Sequence, residues 1–165
     1  MKFIPIIFSL LLLTTLACSS SDEQREFESE AYRNPSGITQ TSSQNEVVTT
    51  DPDDWRTAPL FQGLIEIRPP FPNPAQLGTL INFEVRVTGV QGVGGLDVRV
   101  RYPNGNFSSI FLSNDNPLDT GVSTFRIDPR ALSQDDSDNL ARGLHRIFFF
   151  DFDGRLISYG DVEVE

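Results

Sequence analysis

Thr79-Leu80-Ile81-Asn82-Phe83-Glu84-Val85-Arg86-Val87-Thr88 is the stretch that decides the fold class. Ile81, Phe83, Val85 and Val87 alternate without a break with Asn82, Glu84, Arg86 and Thr88. Successive side chains of a strand point to opposite faces, so this pattern specifies a strand with one buried and one wetted face. On its C-terminal side, Gly89 to Gly95 is a glycine-rich loop. A phosphate-cradling loop needs a helix after it, and here another alternating run follows: Leu96, Val98, Val100 and Tyr102 against Asp97, Arg99 and Arg101. Pro103-Asn104-Gly105-Asn106 is a strong turn, and Phe107 to Leu112 is its returning partner.

Beyond a polar loop over 114–120, Val122 to Ile127 reads as a strand with Phe125 and Ile127 inward. Asp128-Pro129 combines an N-cap carboxylate with proline at the first helical position, and Gly143 supplies a stop. A short helical crossover between two sheets fits there. Leu144 to Phe152 and Leu156 to Val164 form a last hairpin around Asp153-Gly154. Ile147-Phe148-Phe149-Phe150 is apolar on both parities, which predicts a central strand covered on both faces. N-terminal to the diagnostic run, Phe61 to Arg68 reads as a first strand with Phe61, Ile65 and Ile67 inward. Pro69, Pro70, Pro72 and Pro74 then confine the chain to an extended path at an edge or between sheets. About seven short strands separated by turn signals predict an all-β chain: a single immunoglobulin-like β-sandwich over 58–165 with a short helical crossover.

The 40 residues before it, 18–57, are rich in Ser, Thr, Gln, Asn, Asp and Glu. Phe27, Ile38, Val47 and Val48 are too scattered for a stripe of either period, and the composition predicts a flexible acidic tether. Such a segment has a mean reach on the order of 35 Å. It carries much of the formal net charge of −10. A negative surface repels phosphate backbones, so nucleic acid is excluded as an expected partner.

The first 17 residues read as an export signal: a positive start at Lys2, an apolar run from Phe3 to Leu13, and small residues up to Ala17. Cys18 is the only cysteine, so no disulfide forms within the chain. Thr15-Leu16-Ala17-Cys18 resembles the lipobox of bacterial lipoproteins, with Thr15 where Leu is usual and Leu16 where a small residue is usual. That resemblance implies cleavage between Ala17 and Cys18, diacylation of the Cys18 thiol and anchorage to membrane lipid. Ser19 in place of Asp, and the run Ser20-Ser21-Asp22-Glu23, imply an outer-membrane destination, on its periplasmic face or at the cell surface. Phe71-Pro72-Asn73-Pro74, Tyr102-Pro103-Asn104-Gly105, Gly143-Leu144-His145-Arg146-Ile147, Asp153-Gly154 and Ser158-Tyr159-Gly160 together resemble the Ig-like sorting domains of the type IX secretion system and flagellar hook-cap modules. This second resemblance implies the fold.

No catalytic constellation emerges. His145 is the only histidine, no G-x-S-x-G element accompanies it, and its expected role is structural. Asp135, Asp136, Asp138 and Asn139 offer oxygen ligands for calcium but lack the glycine and distal glutamate of a calcium loop. A solvated loop is the simpler reading, and no metal or other cofactor is expected. Arg86, Arg99 and Arg101 lie on wet strand faces, either pairing with Glu84 and Asp97 or forming a patch for an anionic partner. Trp55 is expected to pack against the domain edge, with an exposed ligand platform as the alternative, and Trp55, Tyr102 and Tyr159 are the candidate ligand aromatics should they be exposed in a row on one face. The expected function is that of a non-enzymatic, lipid-anchored envelope protein whose Ig-like domain binds or assembles with an envelope protein. The alternative is a carbohydrate-binding accessory.

Overall fold

The computed structural model describes residues 22–165. The expected signal peptide, the Ala17–Cys18 cleavage site and the acylated Cys18 lie outside the described residues. A helix, α1 (residues 22–31), comes first. It is followed by a small hairpin of β1 (Gln40–Thr41) and β2 (Val47–Thr49). Seven strands then build the sandwich: β3 (Ile65–Ile67), β4 (Ile81–Val87), β5 (Leu96–Arg101), β6 (Phe107–Ser113), β7 (Gly121–Ile127), β8 (Gly143–Phe150) and β9 (Leu156–Val164). One sheet has the order β3-β4-β7 and the other β6-β5-β8-β9. All pairings are antiparallel. This is the all-β, immunoglobulin-like sandwich that the alternation in 79–88 predicts.

Ile81, Phe83, Val85 and Val87 of β4 are all buried, while Arg86 between them is exposed. They meet Val98, Val100, Ile147 and Phe149 from the facing sheet in one core. The first strand is shorter than its sequence signal, because Pro59–Phe61 turns into a 3-10 helix before it. The crossover between β7 and β8 contains a 3-10 turn over Pro129–Leu132 and a four-residue helix, α2 (Asp138–Ala141). Asp128 caps the first by accepting from the Arg130 amide, as the Asp-Pro signal predicts.

The chief correction concerns residues 22–57, which composition assigns to a flexible tether but which fold onto the sandwich. α1 is built from Glu, Gln, Arg and Ala, with Asp22 and Glu23 at its positive N-terminal end, and it stops before Asn34-Pro35. Gln24, Phe27 and Ala31 at i, i+3 and i+7 are its buried stripe. That stripe covers the outer face of the four-stranded sheet. Phe27 packs on Tyr159 at 5.2 Å between ring centroids, and Tyr32 just beyond the helix stacks on Phe148 at 5.6 Å. β8 is therefore central and covered twice, on one side by the other sheet and on the other by α1.

A buried polar network fastens the rest of this segment. Arg146, 2% exposed, makes a two-pronged ion pair with Asp161 at 2.7 Å on each arm. Its remaining NH1 donates to the carbonyls of Glu30, Ala31 and Arg33 at 3.2–3.3 Å, closing the C-terminal end of α1. Asp161 also accepts from the Ser36 amide. Asn73, fully buried, donates to the carbonyls of Thr39 and Asp161 and accepts from the Glu163 amide. Asp54 accepts from the amides of Thr39 and Asp161 at 2.7 and 2.8 Å. Trp55 then enters the core beside β9, its amide donating to the Tyr159 carbonyl at 2.8 Å. Gly160 lacks a side chain where one would run into the Trp55 indole.

Candidate ligand cleft

The turn Pro103-Asn104-Gly105-Asn106 closes the β5–β6 hairpin as the sequence predicts. Gly105 takes φ +86°, the Asn106 amide donates to Asn104 Oδ1, and the Tyr102 amide donates to the Asn106 carbonyl at 2.9 Å. The hairpin projects past the end of the sheet and faces the β7–β8 crossover. Tyr102 OH reaches the Ser133 carbonyl at 3.3 Å, and the Asn104 amide reaches Gln134 Oε1 at 3.2 Å. These contacts hold the two loops at a fixed separation. Between them, with the residues after α1 as a third wall, lies a cleft of about 970 Å³. Ligand sites commonly span about 300–1,000 Å³.

Three elements position the lining. From the end of β5 and the residue after it come Arg101 and Tyr102, each half-buried. Arg101 is locked in place, because NH1 donates to the Tyr32 carbonyl at 2.6 Å and NH2 to the Arg33 carbonyl at 3.1 Å. From the segment after α1 come Tyr32, with 47% of its surface exposed, and Asn34. From the crossover and the start of β8 come Asn139, Arg142 and His145. His145 Nε2 donates to the Ala141 carbonyl at 2.8 Å, fixing the end of the crossover to β8. Burial lowers the His145 pKa, so the ring is held towards its neutral form.

The structure separates some of the expected site residues and unites others. Arg86 lies on β4 of the three-stranded sheet, whereas Arg99 and Arg101 lie on β5 of the other, so the three do not form one patch. Arg99 is consumed by Asp97 at 2.6 Å and stacks over the Phe150 ring at 4.9 Å. Glu84 pairs with Arg68 at 2.9 Å rather than with Arg86. Trp55 (6% exposed) and Tyr159 (0%) are core residues, so a row of three exposed aromatics does not exist. Both have structural neighbours in place of a ligand: Trp55 meets Phe83 and Phe149 edge-on, and Tyr159 lies between Phe27 and the Arg146 guanidinium. What is united is Arg101 with Tyr102, one from each expected set, at the cleft.

The acid cluster of the crossover serves its own loop. Asp135 accepts from the Ser137 amide, Asp138 pairs with Arg130 at 2.6 Å, and Asn139 faces the cleft. Among the described residues no group of three His, Cys, Asp or Glu side chains is arranged to hold a metal ion. Sequence reasoning missed Tyr32, Asn34 and Arg142. The first two belong to the supposed tether, and the third sits in a loop with no periodicity to mark it.

No family model matches this chain, and no curated protein is significantly similar to it.

Proposed function

We propose that the protein is a lipid-anchored, non-catalytic module of the cell envelope that captures a ligand or partner in the cleft between the β5–β6 hairpin and the β7–β8 crossover. The observation that carries this reading is the cleft itself: a concavity with aromatic, amide and guanidinium groups, walled by elements whose side chains are already pinned by hydrogen bonds. Small-ligand sites are usually concave and largely pre-formed, with a few placed polar groups among apolar and aromatic side chains. The lipobox-like Thr15-Leu16-Ala17-Cys18 supports the anchor. Among the described residues no helix is long and apolar enough to cross a membrane.

Residues 22–57, folded onto the sandwich as a clamp, change the geometry of anchorage. Between Cys18 and Asp22 the chain spans at most about 14 Å when fully extended. The domain is then held near the head groups, not on a long spacer. Each buried methylene of the acyl chains contributes about 0.8 kcal/mol, so two or three chains hold a domain of this size firmly. Metabolic labelling with a fatty-acid analogue, compared between the natural chain and Cys18→Ala, tests the anchor. The label and membrane association are both expected to disappear in the variant. A variant that stays on the membrane refutes the anchor.

A further inference from the structure

We propose that the cleft takes an acidic carbohydrate, a sugar ring carrying a carboxylate, with Arg101 and Arg142 facing the acid and the aromatic and amide groups facing the ring. The proposal deepens the reading of the domain as a binding module and rests on it. Charge is the first ground. The chain has 23 acidic residues and a net charge of −10, yet three arginines and no Asp or Glu line the cleft. Arg146 is neutralised by Asp161 at the bottom. Arg101 is held by two carbonyl oxygens, which orient it, and it has no carboxylate partner among the described residues. Arg142 is exposed and makes no ion pair among the described residues. Of the acids in the crossover, Asp128 and Asp138 pair with Arg130 and Asp135 accepts from the Ser137 amide, and none of them makes an ion pair with Arg101 or Arg142 among the described residues. Two unpaired guanidinium groups in a concavity of an acidic protein focus a local positive potential. A planar carboxylate is an anion whose geometry a guanidinium matches in two parallel hydrogen bonds.

The second ground is the uncharged part of the lining. Tyr32 and Phe107, residues that are 47% and 37% exposed, contribute aromatic side chains to the lining. Asn34 and Asn139 present side-chain amides with no internal hydrogen bond among the described residues. An amide offers a donor and an acceptor side by side, the pattern that pairs with neighbouring hydroxyls. An aromatic face covers the apolar C–H surface of a sugar ring while its polar rim stays wet. Acid-binding guanidinium, hydroxyl-binding amide and ring-covering aromatic thus converge on one cavity.

The test measures binding of the full-length protein, in detergent, to a short oligogalacturonate and to the neutral galactose oligomer of the same length. A peptide with a free C-terminal carboxylate is the third ligand. The acidic sugar is expected to bind at least about 10-fold tighter than the neutral one, with the gap narrowing as salt rises. Arg142→Gln is expected to weaken the acidic sugar about 5- to 10-fold and to leave the neutral one unchanged. Asn139→Ala is expected to weaken both. Neither side chain supports the fold, so unchanged thermal unfolding accompanies each loss. Equal affinity for both oligomers overturns the carboxylate, and tighter binding of the peptide overturns the sugar. If no sugar binds while a photocrosslinker placed at the exposed cleft residue Leu140 captures an envelope protein in cells, the carbohydrate is overturned and the binding module stands. If neither occurs, both readings fall.

Discussion

Replacing Phe27 by Ala separates a folded clamp from a disordered tether. Phe27 is 6% exposed, lies 5.2 Å from the Tyr159 ring and carries the Arg56 guanidinium 5.5 Å from its own centroid. Removing a buried phenylalanine costs about 3–5 kcal/mol in a closed core. α1 lies on the surface of the sheet and can settle into the gap, so about 2–4 kcal/mol is expected here. In a disordered segment the same substitution costs less than about 0.5 kcal/mol. Trp55 is the only tryptophan and is buried between Phe83 and Phe149, so urea unfolding followed by its emission reports loss of the core. Hydrogen exchange over residues 27–31 reports whether the helix is docked before the core opens. A lowered urea midpoint in the variant, with protected amides in the natural chain, is the expected result. An unchanged midpoint together with unprotected amides refutes the clamp.

Two further predictions concern the polar network beneath it. Asp161→Asn leaves the Arg146 charge buried without its counter-ion, and both groups are at most 2% exposed, so urea unfolding is expected to register a loss of about 3–5 kcal/mol. Asp54 gives a pH signature. Burial raises its pKa from the ordinary 3.8 to about 7, with the Asp161 and Asp51 charges adding to the effect and the Thr39 and Asp161 amides opposing it. Between about pH 4 and pH 7 the native state therefore holds a proton that the unfolded chain has lost, and this contribution to stability falls as pH rises. Relative to Asp54→Asn, the natural protein is expected to lose stability by up to about 4 kcal/mol from pH 4 to pH 8. A stability difference that stays flat over that window shows that Asp54 is ionised throughout.

The sandwich was legible because its strands advertise themselves locally. β4 alternates cleanly, the β5–β6 turn carries Asn-Gly, and β9 runs over Leu156–Val164 as its pattern predicts. The clamp was not, because α1 and the residue that follows it offer only Phe27, Ala31 and Tyr32 as apolar side chains among acids, too little for a helix stripe to stand out in a Ser- and Glu-rich background. Its burial is made by contact with the sheet and by the Arg146–Asp161 network, whose partners lie more than 100 residues away along the chain. One signal did point to it. Phe148 and Phe150 sit on the opposite parity from Ile147 and Phe149, and a sandwich covers only one of those faces. A strand apolar on both sides requires a second cover, and in this chain the residues assigned to a tether before the sandwich provide it. The cleft was half legible: Arg101 and Tyr102 were singled out, but as members of two different sets, and nothing in the spacing placed Tyr32 beside them.

The clamp and the cleft are one construction. Arg146 and Arg101 are both drawn to the carbonyls that α1 leaves open at its C-terminal end, Arg146 from beneath and Arg101 from the side. A helix terminus concentrates partial negative charge there, so it holds two cations on a sheet face that would otherwise repel them. Of the two, only Arg146 has a carboxylate partner among the described residues. Arg101 receives only carbonyl dipoles, which fix its direction without cancelling its charge, and it is the one that faces the cavity. The same end of α1 places Tyr32 on Phe148 and at the rim of the cleft. Docking the helix thus covers the second apolar face of β8 and, by the same contacts, orients a cation and an aromatic ring toward a shared space. The cover that the strand pattern demands is what builds the wall of the site.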